Sequence, residues 1–131
     1  MTDAKAVVSD ILKADPIIRD IIANRKSIVP AGRLTGKSKY PAITIQGGPI
    51  VRREEYTDIV NIYIRAYDDP VNSTIYIDKI GNRLKQLLDH QTLELEQGVF
   101  VKCTFDSSLA ELEDQALHKT FIEYHYTIAT L

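Results

Sequence analysis

Tryptophan is absent from the sequence and cysteine occurs once, as Cys103. One cysteine excludes an internal disulfide, so the fold rests on its core and needs no oxidising compartment. No apolar run approaches the length of a membrane span, which argues against a membrane partner. The opening Met1-Thr2-Asp3-Ala4-Lys5 lacks the basic-then-apolar pattern of a signal peptide, and manufacture and assembly in cytoplasm are expected.

Chemical signatures are equally scarce. Gly32-Arg33-Leu34-Thr35-Gly36-Lys37-Ser38 echoes the end of a phosphate-binding loop, but its glycine spacing is wrong and no buried strand is expected before it. His90, His118 and His125 lack metal-site spacing. His118 and His125 lie seven residues apart, so on one strand they point to opposite faces. Cys103 shares a strand face with Val101 and Phe105 and reads as a small core residue rather than a nucleophile. Asp68-Asp69-Pro70 reads as a helix start, and Glu111, Glu113 and Asp114 as solvated loop acids. No catalytic residue, metal or cofactor follows from these patterns, and a non-enzymatic role is expected.

What is present describes one folded domain over 1–131. A composition 44% hydrophobic and 26% charged is globular, and a chain of this length buries a sizeable core. Helical spacing is expected over 4–13, with Asp3 as N-cap, and again from Asp15-Pro16 to about Asn24. Residues 25–41 read as a long loop. A strand covers Ala42–Gln46, ended by Gly47-Gly48-Pro49, and Arg52-Arg53-Glu54-Glu55 is a charged break. Val60, Ile62, Ile64 and Ala66 alternate with Asn61, Tyr63, Arg65 and Tyr67 in a strand over Asp58–Tyr67. Ile77, Ile80, Leu84, Leu87 and Leu88 stripe a helix that ends near His90. Leu93-Glu94-Leu95-Glu96 leads to Gly98, and a strand follows over Val99–Phe105. Ser107–Gln115 is an acidic connection, and a final strand runs from His118 to Thr130, with Ile122, Tyr124, Tyr126 and Ile128 on one face and Phe121, Glu123, His125 and Thr127 on the other. The order α-α-β-β-α-β-β predicts an α+β fold: a mainly antiparallel, mixed sheet of about four strands, with helices packed on one face.

Charge is the most informative presence. Arg25, Lys26, Arg33, Lys37, Lys39, Arg52 and Arg53 are seven basic residues in a span without Asp or Glu; the rest of the chain holds nine basic and all 18 acidic residues. Such polarity steers association. The basic segment suits an acidic protein surface or non-specific contact with passing DNA, although no helix carries the cluster. Tyr63, Arg65 and Tyr67 form a second contact candidate, since Tyr and Arg are enriched at interfaces; the same face can equally be covered by the protein's own helix or loop.

The layout resembles the tail terminator (tail completion, head–tail joining) proteins of long-tailed bacteriophages. The matching parts are Ala14-Asp15-Pro16-Ile17, the basic loop ending Tyr40-Pro41-Ala42-Ile43-Thr44-Ile45, the strand Asn61-Ile62-Tyr63-Ile64-Arg65-Ala66-Tyr67, the helix Ile77–Leu88, Gly98, the acidic Glu113-Asp114, and His118 before Phe121-Ile122-Glu123-Tyr124-His125-Tyr126. The resemblance spans nearly the whole chain but lies in order and spacing, not in one diagnostic motif. It implies a virion protein at the head-proximal end of the tail: a ring of copies of itself, typically a hexamer, that ends growth of the tail tube and meets the tube protein and the head–tail connector. The expected contact residues are Arg33, Lys37, Lys39, Arg52, Arg53, Glu54, Glu55, Tyr63, Arg65, Glu111, Glu113 and Asp114, with the basic segment meeting acidic 106–114 on a neighbour. The 25–40 loop is longer than this family leads one to expect, and no glycine turn precedes His118. The alternatives are another head–tail connector, a tail tube subunit, or a small ligand-binding or enzymatic ferredoxin-like domain.

Overall fold

Asp15 ends one helix and begins the next. The computed structural model describes residues 4–22, 27–54, 57–96 and 98–130, with side chains for 4–22, 27–47, 60–95 and 98–129. Helix α1 (Ala4–Ala14) buries Val8 and Leu12. Asp15 then accepts the Ile18 N–H at 2.9 Å and caps α2 (Pro16–Ile21), with Pro16 at the first helical position. The expected cap Asp3 lies outside the described residues, as does Asn24.

Among the described residues the sheet has seven strands rather than about four. These are β1 (Ile28–Pro30), β2 (Ala42–Glu54), β3 (Thr57–Asp68), β4 (Gln91–Glu96), β5 (Val99–Ser108), β6 (Leu112–Asp114) and β7 (Lys119–Thr130). The order is β1-β2-β3-β7-β5-β4, with β6 paired to β7. Among the described residues, only β1 runs parallel to its neighbour; the other pairings are antiparallel. The α+β class and mixed sheet therefore agree with expectation, and the strand count does not.

The extra strands have specific causes. Strand β1 is three residues long and ends on Pro30, too short to show a period, and it sits inside the expected 25–41 loop. It also places a strand before Gly32-to-Ser38, but the chain goes on to β2 rather than to a helix. Strand β4 is the Leu93-Glu94-Leu95-Glu96 segment, and β6 lies within the expected acidic connection. Strand β2 does not stop at Gly47-Gly48-Pro49: register shifts between Gly47 and Ile50 and between Ile50 and Arg52 let it pass. Arg52, Arg53 and Glu54 are not a break either, because they pair with Ile59, Asp58 and Thr57.

Helix α3 (Ile75–Leu88) begins later than Asp68-Asp69-Pro70. Asp68 is the last residue of β3, and its buried carboxylate accepts the Asp69 N–H at 2.8 Å and the Asn72 amide at 3.2 Å. Pro70–Asn72 forms a single 3-10 turn, and Ser73 breaks it with φ 54°. At the far end, His90 takes the left-handed conformation that terminates helices (φ 60°).

The core lies between the helices and one face of the sheet. Ile77, Ile80, Leu84 and Leu88 of α3 meet Ile62, Ile64 and Ala66 of β3, Val101 and Cys103 of β5, and Tyr124, Tyr126 and Ile128 of β7. Helix α1 covers β1, β2 and β4. Asp15 joins α2 to α3 as well: Arg83 reaches both its carboxylate oxygens, at 2.6 and 3.0 Å. The Arg83 hydrogen bonds hold the Asp15 carboxyl below its ordinary range, against the opposing effect of burial. Gly81 lets α3 approach the sheet closely enough for the Tyr124 hydroxyl to donate to the Ile77 carbonyl at 3.2 Å.

Candidate interaction surfaces

Period-two alternation sends Tyr63, Arg65 and Tyr67 of β3 and Phe121, Glu123 and His125 of β7 to the face away from α3. Register then pairs them: Tyr63 opposite His125, Arg65 opposite Glu123, Tyr67 opposite Phe121. Arg65 donates to Glu123 at 2.6 Å and to the Tyr67 hydroxyl at 3.1 Å, and it lies 4.5 Å from the Phe121 ring centroid. His125 Nε2 meets the other Glu123 oxygen at 2.6 Å, while its ring lies 4.3 Å from that of Tyr63. Burial alone would raise the Glu123 carboxyl; the Arg65 and His125 hydrogen bonds outweigh it and hold the group below its ordinary range. This face is largely satisfied within the chain. Tyr67 is buried, and Tyr63 and Arg65 are half-buried.

The β1–β2 loop carries Arg33, Lys37 and Lys39, all exposed. None of the three side chains forms an ion pair with a described residue. The loop is nonetheless shaped. Thr35 N–H donates to the Ser38 hydroxyl at 2.9 Å, Ser38 N–H to the Thr35 carbonyl at 3.1 Å, and the Tyr40 hydroxyl to the same carbonyl at 2.8 Å. A cis Tyr40–Pro41 bond leads into β2. Arg52, Arg53 and Glu54 lie on β2, in the part whose side chains are not described; Arg25, Lys26 and Glu55 lie outside the described residues.

The acidic candidates separate. Glu111 is exposed in the β5–β6 connection, whereas Glu113 and Asp114 belong to β6, opposite Thr120 and Lys119. Asp114 is half-buried and accepts the Leu117 N–H at 3.0 Å. It borders a cleft of about 270 Å³ together with Arg65, Tyr67 and loop residues Gly32 and Leu34. Arg65 and Asp114 are thus brought together. A second groove, of about 470 Å³, runs between α3 and the β5–β6 connection and takes in Glu111.

Several contributors escaped the sequence reading. Glu123 and His125 sit on the polar face expected of β7, but nothing in the sequence shows that Arg65, 58 positions away, is the partner of Glu123. Lys119 lies 2.9 Å from Asp69 and 4.9 Å from the Tyr40 ring centroid, contacts that again need the topology. Asp78 and Leu109 on the second groove carry no local signal.

The candidates for chemistry are placed apart. Cys103 is fully buried, its thiol pushed up to about 12 by burial. His118 is exposed with φ 55°, and neither residue lines the two grooves described above. Among the described residues, no group of three or more His, Cys, Asp or Glu side chains is placed to hold a metal. No described helix is long and apolar enough to cross a membrane.

No protein-family model matches the sequence, and no curated protein matches it. Among solved structures, the fold is similar to a chain in the virion of a native gene transfer agent particle. The likeness covers 97% of this chain and 93% of that one, with a TM-score of 0.72 and 13% identity. At that identity it speaks for a shared fold.

Proposed function

We propose that this chain is a non-enzymatic structural subunit of a phage-like virion, acting as the ring that caps the tail tube. In this reading copies of the chain close on the last ring of the tube, stop its growth, and offer the opposite face to the head–tail connector. The supporting observation is a fold shared over nearly its full length with a chain from a virion particle. The order of basic loop, central strand, helix and C-terminal strand adds the tail-terminator assignment within that class. The exposed cations of the β1–β2 loop fit a protein that works by contact, with passing DNA as a further non-specific neighbour at the head-proximal end of the tail.

Electron microscopy of tails assembled with and without the protein tests this function. Overlong tubes, or tails of normal length that fail to take heads, are the expected result of its removal. Normal virions in its absence would refute the proposal. Spontaneous tube formation by the purified chain would reassign it as a tube subunit.

A further inference from the structure

We infer that the groove between α3 and the β5–β6 connection is the seat for the β1–β2 loop of a second copy of this chain. This rests on the ring reading and names the contact through which neighbouring copies join.

The groove is lined by polar and apolar groups together: Asn82 and Ser108 border it with Ile122 and Tyr124, and Gly81 leaves room for the Tyr124 ring against the helix. Leu109 stands at one side, 42% exposed, so apolar surface is open to an occupant. Acids occupy both lips: Asp78 on α3 and Glu111 on the connection, both exposed. Neither makes an ion pair with a described residue, although Asp78 accepts the Thr74 hydroxyl at 2.9 Å. Lys85 also borders the groove, but its ammonium sits 4.3 Å from the Phe105 ring centroid of its own chain. Leu109 and Ile122 beside the two exposed acids Asp78 and Glu111 suit a side chain with an aliphatic stem and a cationic head.

The β1–β2 loop offers such side chains. Arg33, Lys37 and Lys39 are exposed, and the Thr35, Ser38 and Tyr40 hydrogen bonds already hold the loop in shape, which lowers the ordering cost of docking. The loop lies on the other face of the sheet from the groove of its own chain. Its Gly32 and Leu34 border Thr44, Arg65 and Tyr67 on the face away from α3, while the groove opens beside α3 on the opposite face. Donor and acceptor surfaces therefore differ, the contact is heterologous, and it repeats until it closes as a ring or continues as a filament.

A disulfide trap tests the contact. Lys37→Cys with Glu111→Cys, mildly oxidised, is expected to give a ladder of linked oligomers on a non-reducing gel, while each single variant stays monomeric. Cys103 is buried and does not interfere. Glu111→Lys is expected to lower the oligomer fraction several-fold, and mixing it with Lys37→Glu to restore it. Because both positions are exposed, circular dichroism and melting of every variant should match the parent. No ladder from the double variant, or an equal signal from Lys37→Cys alone, overturns the inference. Tails that carry the parent ring in micrographs while the double variant gives no ladder would remove the groove contact and leave the proposed function standing. Tails that terminate and join heads without the protein would remove the function, whatever the ladder shows.

Discussion

At the scale of single residues, three positions have roles that a substitution can isolate. Alanine at Gly81 would raise intrinsic helix stability by about 1 kcal/mol. Its methyl, however, would run into the Tyr124 hydroxyl and Cζ and come within 2.6 Å of Cε1. Ring and helix are both fixed by packing, and overpacking of this kind costs about 1–3 kcal/mol. Gly81→Ala is therefore expected to destabilise the protein by about 1–2 kcal/mol in urea denaturation, a sign opposite to propensity. Cys103, with its thiol raised to about 12, should resist alkylation at neutral pH until the chain unfolds; rapid labelling of the native protein would contradict its placement. Asp15→Ala removes a helix cap worth about 1 kcal/mol, and the pair to Arg83 besides. Because the folded Asp15 carboxyl lies below its ordinary value of 3.8, its contribution is present above that value and is lost as pH falls through the folded one. The stability gap between parent and Asp15→Ala should thus narrow in acid.

At the scale of elements, β3 and β7 are joined by side chains as well as by backbone. Glu123 is buried on the outer face and relies on Arg65 and His125. Arg65→Ala leaves it with one partner in a poorly hydrated site, so a clear loss of stability is expected at neutral pH. The sign in acid follows from linkage. In the parent, the contribution of Glu123 holds above its ordinary value of 4.5 and fades as pH falls through the lower folded value. Without Arg65 the carboxyl protonates more readily, so the penalty of Arg65→Ala should shrink as the solution is acidified; a pH-independent penalty would count against the ion pair. The sequence was informative about faces and silent about neighbours. Alternation placed Arg65 and Glu123 on polar faces because a strand has a period of two, but register is a long-range property. The four-strand expectation missed β1 and β6, whose three residues leave a period no room to show, and the six-residue β4; the register shifts that carry β2 past two glycines and a proline lengthened an expected strand instead of adding one. The expected helix start at Asp68-Asp69-Pro70 failed because the Asp68 carboxylate turns inward and closes a 3-10 turn. The charge census pointed to Arg33, Lys37 and Lys39, which are exposed, as cations without a nearby acid ordinarily are. It missed Asp78, which meets the acidic stretch only after folding.

At the scale of the whole molecule, the topology predicts one cooperative unit, and the proposed ring would make its apparent stability depend on concentration. Strand β7 pairs with β3 along one edge and with β5 and β6 along the other, so neither half of the sheet is complete without it. Helix α2 is tied to α3 by Asp15 and Arg83, which joins the N-terminal helices to the same core. Far-UV circular dichroism and tyrosine fluorescence should therefore report a single coincident urea transition. With seven tyrosines and no tryptophan, the fluorescence averages over loop, helix and sheet, so an independently unfolding part would separate the two curves. The proposed association of folded copies would add a second signature, because binding to the native state alone raises the midpoint with protein concentration. If the cations of the β1–β2 loop meet acidic lips on a neighbour, that concentration dependence should weaken with salt, as the screening length falls from about 10 Å at 0.1 M to about 3 Å at 1 M. A midpoint independent of concentration at low salt would remove the electrostatic contact between copies while leaving the cooperative fold untouched.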